Sequence, residues 1–518
     1  MIDHTVIGID CSTTTIKAIA WNRNGRPVAQ ARHSYETQNP KPSWYEQDAE
    51  EWWTGLCSCL QSLTRQLHKP GIESICITNQ RESFVPVDAQ GRPLRSAILW
   101  NDERSHLQLS LLEQRIGAER LHRITGKPLS MTPALPKMLW LAEHEPEVVE
   151  KTSKFLEPHA FLLHRLTGVL GTSLACADPQ GLIDMARGSW SEEVITTMGF
   201  RMDQFPELHS PGAVIASVSA EAAAATGLPA GLPVVAGAGD GQCAGLGVNA
   251  TIERHAYLNL GTAVVAGVLS DAYITDLAFR TLCAPLPGSY YLETVLKGGV
   301  FTVSWFVDRF APDLKGHASG QSIEQLLEEE AARVPPGSLG LLLVPYWHNT
   351  MSPYWDPAAS GITIGWTGAH GRQHFYRSIL EGIAFEQRLM GEGLMKALGR
   401  RIEKYLVTGG GSSSDLWCRI LADVTGIPMQ RTQALDATCL GAGILAAAAM
   451  GWYTDLPAAA RAMVVTEREF LPNPENQGTY DRLYTEVYRP LFPTLKSLID
   501  RLADLSAYPK SIKMVSYS

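Results

Sequence analysis

The sequence holds nine cysteines in 518 residues but no C-x-x-C pair. They are scattered, odd in number and closest as Cys57-x-Cys59, which removes the spacing of zinc ribbons and dithiol redox motifs. Reduced thiols in a cytoplasmic protein are the expectation. No apolar run reaches the ~20 residues that a membrane-spanning helix needs. The longest alanine-rich stretch, "GAGILAAAAMGWY", reads as a buried helix. The opening "MIDHTVIGIDCSTTT" has no basic leader followed by an apolar segment, so no signal peptide is expected. Positive charge is in deficit: 44 Lys and Arg stand against 53 Asp and Glu, a net charge of −9. A nucleic acid or an anionic membrane as partner asks for a basic patch, and neither is expected. No low-complexity segment occurs. The tail from about Ala507 reads as poorly ordered.

What is present suits a globular protein: 45% of residues are hydrophobic and 19% charged. Single cores stop growing at ~250–300 residues, so at least two domains are expected. "TVIGID", "IKAIAWN" and "PVAQARHSY" read as strands, separated by "CSTTT" and by "RNGRP" with its Asn-Gly turn. In "QDAEEWWTGLCSCLQSLTRQL", Trp52, Trp53, Leu56, Cys59, Leu60 and Leu63 fall at helical spacing. "IESICITNQ" is almost continuously apolar, as a strand covered on both faces must be. This order predicts an α/β domain. It returns later: "HAYLNLGTAVVAGVLS" is a strand, turn and strand, "YYLETVLKGG" another strand, and "FTVSWFVDRF" opens a helix. "DCSTT" at 10–14 and "NLGTA" at 259–263 fall at like positions, which predicts an internal duplication with a boundary near 245–255.

Several stretches carry candidate chemistry. In "GIDCSTTTIK", Asp10 ends a strand before a hairpin of small hydroxyl residues. Such a hairpin offers N–H groups and hydroxyls to an anion, and Asp10 could hold a hydrated Mg²⁺. Asp240 stands among glycines in "VVAGAGDGQCAGLGVNA", where a carboxylate at the end of a buried strand is costly unless paired or given a task. "YLVTGGGSSSDLW" runs a strand through Gly409, Gly410 and Gly411 into a capped helix start that can take phosphates or the flat face of adenosine. In "SICITNQRESF", Gln80, Arg81 and Glu82 follow a buried strand at the point where α/β sheets form ligand clefts, and can bind hydroxyls. "AILWND", Ala97 to Asp102, is a similar strand end. Read singly, each is equally a polar turn, a helix start or a surface ion pair.

Together, and in this order, these segments resemble the FGGY carbohydrate kinases of the actin and hexokinase superfamily, from about residue 5 to 490. "GIDCSTTTIKA" looks like the first phosphate loop, with Ser12 where Gly is usual. "LPKMLWLAEHEPEVV" and "GITIGWTGAHGRQHFYRSILEGIAF" are similar to the two family signatures, with Ala134, Thr363 and Trp366 off pattern. "GAGDGQ" looks like the catalytic-base motif, "LNLGT" like the second phosphate loop, and "GGGSSSDLW" like the adenosine motif.

The resemblance implies two actin-like (ribonuclease H-like) ATPase domains around a central cleft. It divides the chain into an N-terminal domain over 1–248, a C-terminal domain over 249–490, and a helix and tail over 491–518. It implies Asp240 as general base, ATP with Mg²⁺ as cofactors, and Asp10 as the Mg²⁺ anchor through water. Ser12, Thr13, Thr14, Lys17, Gly261, Thr262, Gly298, Gly410, Gly411 and Ser414 would meet the nucleotide. Gln80, Arg81, Glu82 and Asp240 would meet a small sugar or polyol. A homo-oligomer is compatible with the family.

The acceptor reads two ways. "ITNQRES" resembles glycerol kinases, whose Arg-Glu pair binds the polyol, whereas members that phosphorylate xylulose usually carry Gln-Met-His there. "WYEQDAEEWW", "LWND" and "GAGDGQCAGLGV" look more like pentulose kinases, in which Asn often follows the base where this chain has Gly241. The larger share of similarity points to a ketopentose, with glycerol or another polyol as the alternative. An inactive nucleotide-dependent binding protein is a third reading, opposed by the retention of Asp240 and both phosphate loops.

Overall fold

The computed structural model describes residues 4–67, 71–314, 321–347, 349–433 and 436–506; the expected tail from Ala507 lies outside them. Two mixed sheets organise the chain. The strands of the first are β1 (Thr5–Cys11), β2 (Thr15–Trp21), β3 (Pro27–Ser34), β4 (Ile72–Asn79), β5 (Val214–Ser217) and β6 (Pro233–Val235), in the order β5-β6-β4-β1-β2-β3. Those of the second are β7 (His255–Leu260), β8 (Val264–Ser270), β9 (Arg280–Cys283), β10 (Tyr290–Leu296), β11 (Lys404–Thr408), β12 (Met429–Thr432) and β13 (Thr466–Phe470). Their order is β9-β10-β8-β7-β11-β12-β13.

The pairing repeats strand for strand. β1 is antiparallel to β2 and parallel to β4, as β7 is antiparallel to β8 and parallel to β11. β4 continues in parallel to β6 and β11 to β12, and each sheet then ends on an antiparallel strand, β5 or β13. β9 is the second sheet's addition, on the outer edge of β10. The duplication expected from the two turns is therefore real, and the second sheet begins at His255.

Local sequence explains the elements. The Ala49–Gln66 helix starts on Asp48, whose carboxylate accepts the Glu50 N–H, and buries Trp52, Leu56, Cys59, Leu60 and Leu63 against the first sheet. Each such side chain contributes ~1.5–3 kcal/mol on burial. Trp53, at the border of that stripe, is half-buried. The second sheet packs on the long Arg372–Leu398 helix and on Asp415–Thr425.

The lobes exchange helices where they join. Ala437–Ala449, late in the chain, covers the first sheet: its Leu440, Ala442 and Ile444 pack with Val6, Ile19 and Val235. Asp240–Gly247, from the first half, reaches Tyr257 and Tyr291 of the second sheet through Gly245. The two helices cross at glycines. A methyl on Gly441 would sit 1.9 Å from the Cys243 carbonyl oxygen, and one on Gly247 1.9 Å from that of Ala437. Among the described residues no helix is long and apolar enough to cross a membrane. None of the nine cysteines is disulfide-bonded, and all but Cys57 are buried.

Candidate active site

The first hairpin places Asp10 directly across from Lys17. Burial, reinforced by the charge of Asp240, pushes the Asp10 carboxyl up to about 7, with Lys17 opposing and Asp436 adding to the rise. Its Oδ1 is buried and has no hydrogen-bond partner among the described residues. Lys17 is ion-paired to Asp436 at the start of the Ala437–Ala449 helix, so the ammonium expected at the nucleotide is held by the other lobe. In the turn, the Ser12 hydroxyl donates to the Thr15 carbonyl at 2.8 Å, while Thr14 is exposed. Thr13 Oγ1 accepts from Trp100 Nε1 at 3.0 Å. Trp100 is steadied in turn by Lys137, whose Nζ donates to the carbonyls of Thr132 (2.7 Å), Met131 (2.9 Å) and Trp100 (3.4 Å). Burial pulls that ammonium down to about 7.

Asp240 opens its helix, with Gly239 as N-cap. Its side chain is 39% exposed and lies 2.7 Å from Arg81 Nε. Its Oδ1 also accepts the Gly241 N–H at 2.7 Å. The glycines on either side have a specific reason. A methyl on Gly239 would lie 2.6 Å from Arg81 Cγ and Cδ; one on Gly241 would lie 2.7 Å from Glu293 Oε2 and 2.9 Å from Arg81 Nη2. Arg81, Gln242 (its Oε1 2.5 Å from a methyl on Gly239) and a glutamate from the other lobe press on this turn. The lack of a side chain at 241 thus goes with the arginine at 81.

Gln80, Arg81 and Glu82 follow β4 and are all buried. The Gln80 amide donates to Gln47 at 3.2 Å and accepts from Ser83 at 3.1 Å. Arg81 Nη1 bonds both oxygens of Glu293, and Glu82 takes the Arg280 Nη1 at 2.6 Å. Asp102 forms a buried pair with Arg104 at 2.7 Å, so in "LWND" it is the tryptophan that reaches the first hairpin.

In the second hairpin, Gly261 and Thr262 accept the N–H groups of Val300 and Phe301 at 3.0 and 3.2 Å, which ties that loop to the Val300–Phe310 helix; the Thr262 side chain is exposed. Gly298 is packed tightly, with a methyl there 2.1 Å from the Pro345 carbonyl oxygen. Gly410 opens a short turn and faces open space, whereas Gly411 lies against Trp417. Ser414 caps the Asp415–Thr425 helix by accepting the Trp417 N–H at 3.0 Å.

Sequence reasoning missed Asp436, Arg280 and Glu293. Asp436 had a signal: "DGQCAGLG" from 240 and "DATCLGAG" from 436 share an Asp, Cys, Gly, Gly spacing and begin the equivalent crossing helices. Arg280 and Glu293 sit in ordinary strands and had none.

Among the described residues no three His, Cys, Asp or Glu side chains converge as a ligand set. That suits Mg²⁺, which keeps its waters and is bound by one or two carboxylates with substrate phosphates. The orphaned oxygen of Asp10 fits such a role.

A duplicated sheet fold with acidic residues of both halves gathered at the joint is that of a two-lobed ATPase. Family models for the FGGY family of carbohydrate kinases match residues 5–247 (N-terminal domain) and 256–450 (C-terminal domain). The chain belongs to that family. It is 30% identical over 512 residues to a xylulose kinase of Bacillus subtilis, covering 98% of this chain and 99% of the relative. A xylulose kinase of Escherichia coli is 29% identical, covering 94% and 99%. The crystal structure of xylulose kinase from Rhodospirillum rubrum superposes with a TM-score of 0.87 at 28% identity, covering 96% of this chain and all of that one. The protein is an ATP-dependent carbohydrate kinase that works with Mg²⁺.

Proposed function

We propose that the acceptor is a ketopentose such as xylulose and that Asp240 is the general base. The observation that carries the base assignment is the Arg81–Asp240 contact. An accessible carboxylate is held at 2.7 Å by a buried guanidinium, beside the carboxylate suited to Mg²⁺. Held beside Asp10, Mg-ATP would supply the phosphoryl group and positive charge to offset the charge that develops on it. Asp240 takes the proton of the attacking hydroxyl, and Arg81 orients it. Among the described residues Arg81 Nη2 donates no hydrogen bond and the second oxygen of Glu82 accepts none, which leaves one donor and one acceptor for sugar hydroxyls. Thr13, set by Trp100, and Thr14 meet phosphate from the first lobe, and Gly261, Thr262, Gly410 and Gly411 meet the nucleotide from the second. Residues 1–248 and 249–490 divide the work accordingly. Closing the cleft keeps water from competing as acceptor.

The xylulose reading draws on the relatives named above, and the cytoplasm is the proposed location. The second reading, glycerol or another polyol, is favoured by the Arg81-Glu82 pair itself. Acceptor-dependent ADP release over ketopentoses, glycerol and longer polyols tests both. A kcat/KM highest for a ketopentose supports the first; a preference for glycerol replaces it with the second. Binding of ATP with no turnover on any acceptor would remove Asp240 as a working base.

A further inference from the structure

Arg81 and Glu82 are themselves held from the opposite lobe. Glu293, on β10, is fully buried. It accepts Arg81 Nη1 at 2.9 and 3.0 Å, Arg280 Nε and Nη2 at 2.9 and 2.7 Å, and the Tyr257 hydroxyl at 2.6 Å. Arg280, on β9, spans the gap, with its third nitrogen on Glu82 at 2.6 Å. Glu82 has a φ of 60°, an uncommon conformation for a residue with a side chain. Such strain persists where the surroundings over-determine it.

We propose that Arg280 and Glu293 are positioning residues of the acceptor site, setting Arg81 and Glu82, and that Gly241 is the gap that admits them. This rests on the reading of Arg81 and Asp240 given above. Glu293 occupies one edge of the Arg81 guanidinium. Nε is thereby turned to Asp240, and Nη2 is left for the ligand. Arg280 occupies one oxygen of Glu82 in the same way. The group is two guanidinium cations and three carboxylates, counting Asp240, so one negative charge remains. Burial would raise the Glu293 carboxyl, but Arg81 and Arg280 outweigh it and hold the group below the usual carboxylate range. A side chain at 241 and the Arg81–Glu293 contact exclude each other at 2.7–2.9 Å. Since Arg280 and Glu293 belong to the second lobe, the acceptor site is complete only when the lobes meet as they do here.

The experiment uses the full-length enzyme with whichever acceptor the panel shows it to turn over. Failure of the ketopentose reading is then seen in the panel, and failure of this proposal in the variants. Glu293→Gln keeps the volume and a partner for Tyr257. It should raise the acceptor KM by about 10-fold or more, the loss expected from a buried charged hydrogen bond, while the KM for ATP stays within about two-fold. Arg280→Lys keeps the charge but cannot fork between Glu82 and Glu293, and should act in the same direction. Gly241→Ala displaces the pair without removing a charge. Combined with Glu293→Gln it should cost no more than the worse single change, because both act through one arginine. Acceptor kinetics within about two-fold of wild type in Glu293→Gln or Arg280→Lys, equal losses for ATP and acceptor, or additive costs in the double variant would each overturn the proposal.

Discussion

Lys17 of the first sheet forms an ion pair with Asp436 of the second half, and both act on the carboxyl of Asp10. Lys17 favours the charged form of Asp10, while Asp436 and Asp240 oppose it after burial has already done so. The ion pair thus leaves Asp10 with an excess of negative neighbours, a setting that a divalent cation relieves.

Asp10→Asn should therefore raise the Mg²⁺ concentration for half-maximal rate by about 10-fold or more, the scale of a lost charged contact to the ion. A Mg²⁺ titration at fixed ATP and acceptor measures this. An unchanged midpoint would take Asp10 out of the metal site.

Asp240→Asn removes the proton acceptor and little else, since the amide fits the same space. A positioned general base contributes ~10²–10⁴-fold, and kcat should fall by that order. ATP affinity, read by calorimetry, should hold. Turnover near that of the parent would end the assignment of Asp240.

The helix crossing predicts opposite signs for two glycine substitutions. Gly441→Ala places a methyl 1.9 Å from the Cys243 carbonyl oxygen, backbone against backbone. The cost should be ~1–3 kcal/mol or more, the range for overpacking. Gly478, inside the Pro474–Arg482 helix, has nothing near its would-be methyl, and Gly478→Ala should stabilise by ~0.5–1 kcal/mol. Chemical denaturation of the pair decides it; equal effects would contradict the crossing geometry.

Glu386 predicts a pH dependence of stability. Burial pushes its carboxyl from 4.5 up to about 7, although the hydroxyls of Tyr488 and Tyr346 donate to it at 2.6 and 2.9 Å. The folded form keeps a proton that the unfolded chain releases, so stability falls as pH rises from about 4.5 through 7. Glu386→Gln should gain on the parent by up to ~3 kcal/mol between those limits. Melting temperatures at pH 5 and pH 8 test the sign. A gap between variant and parent that does not widen at the higher pH would refute it.

Much of this was legible in the chain itself. The hairpins around Asp10 and Gly261 follow from alternating apolar residues broken by small polar ones. The Ala49–Gln66 helix follows from the spacing of Trp52, Leu56 and Leu63. The duplication follows from two turns in like contexts. Asp240 stood out because a carboxylate among glycines is unusual in a buried stretch. These are properties of neighbouring residues, and local chemistry decides them.

The tertiary structure decided what those residues touch. Arg81 and Glu82 announced a polar strand end, but their partners lie about 200 positions away: 212 between Arg81 and Glu293, 198 between Glu82 and Arg280. The same holds for Lys17 and Asp436, 419 positions apart. Periodicity and turn chemistry report on a dozen residues at a time. An ion pair across two lobes depends on how the sheets dock, and docking is a property of the packed whole.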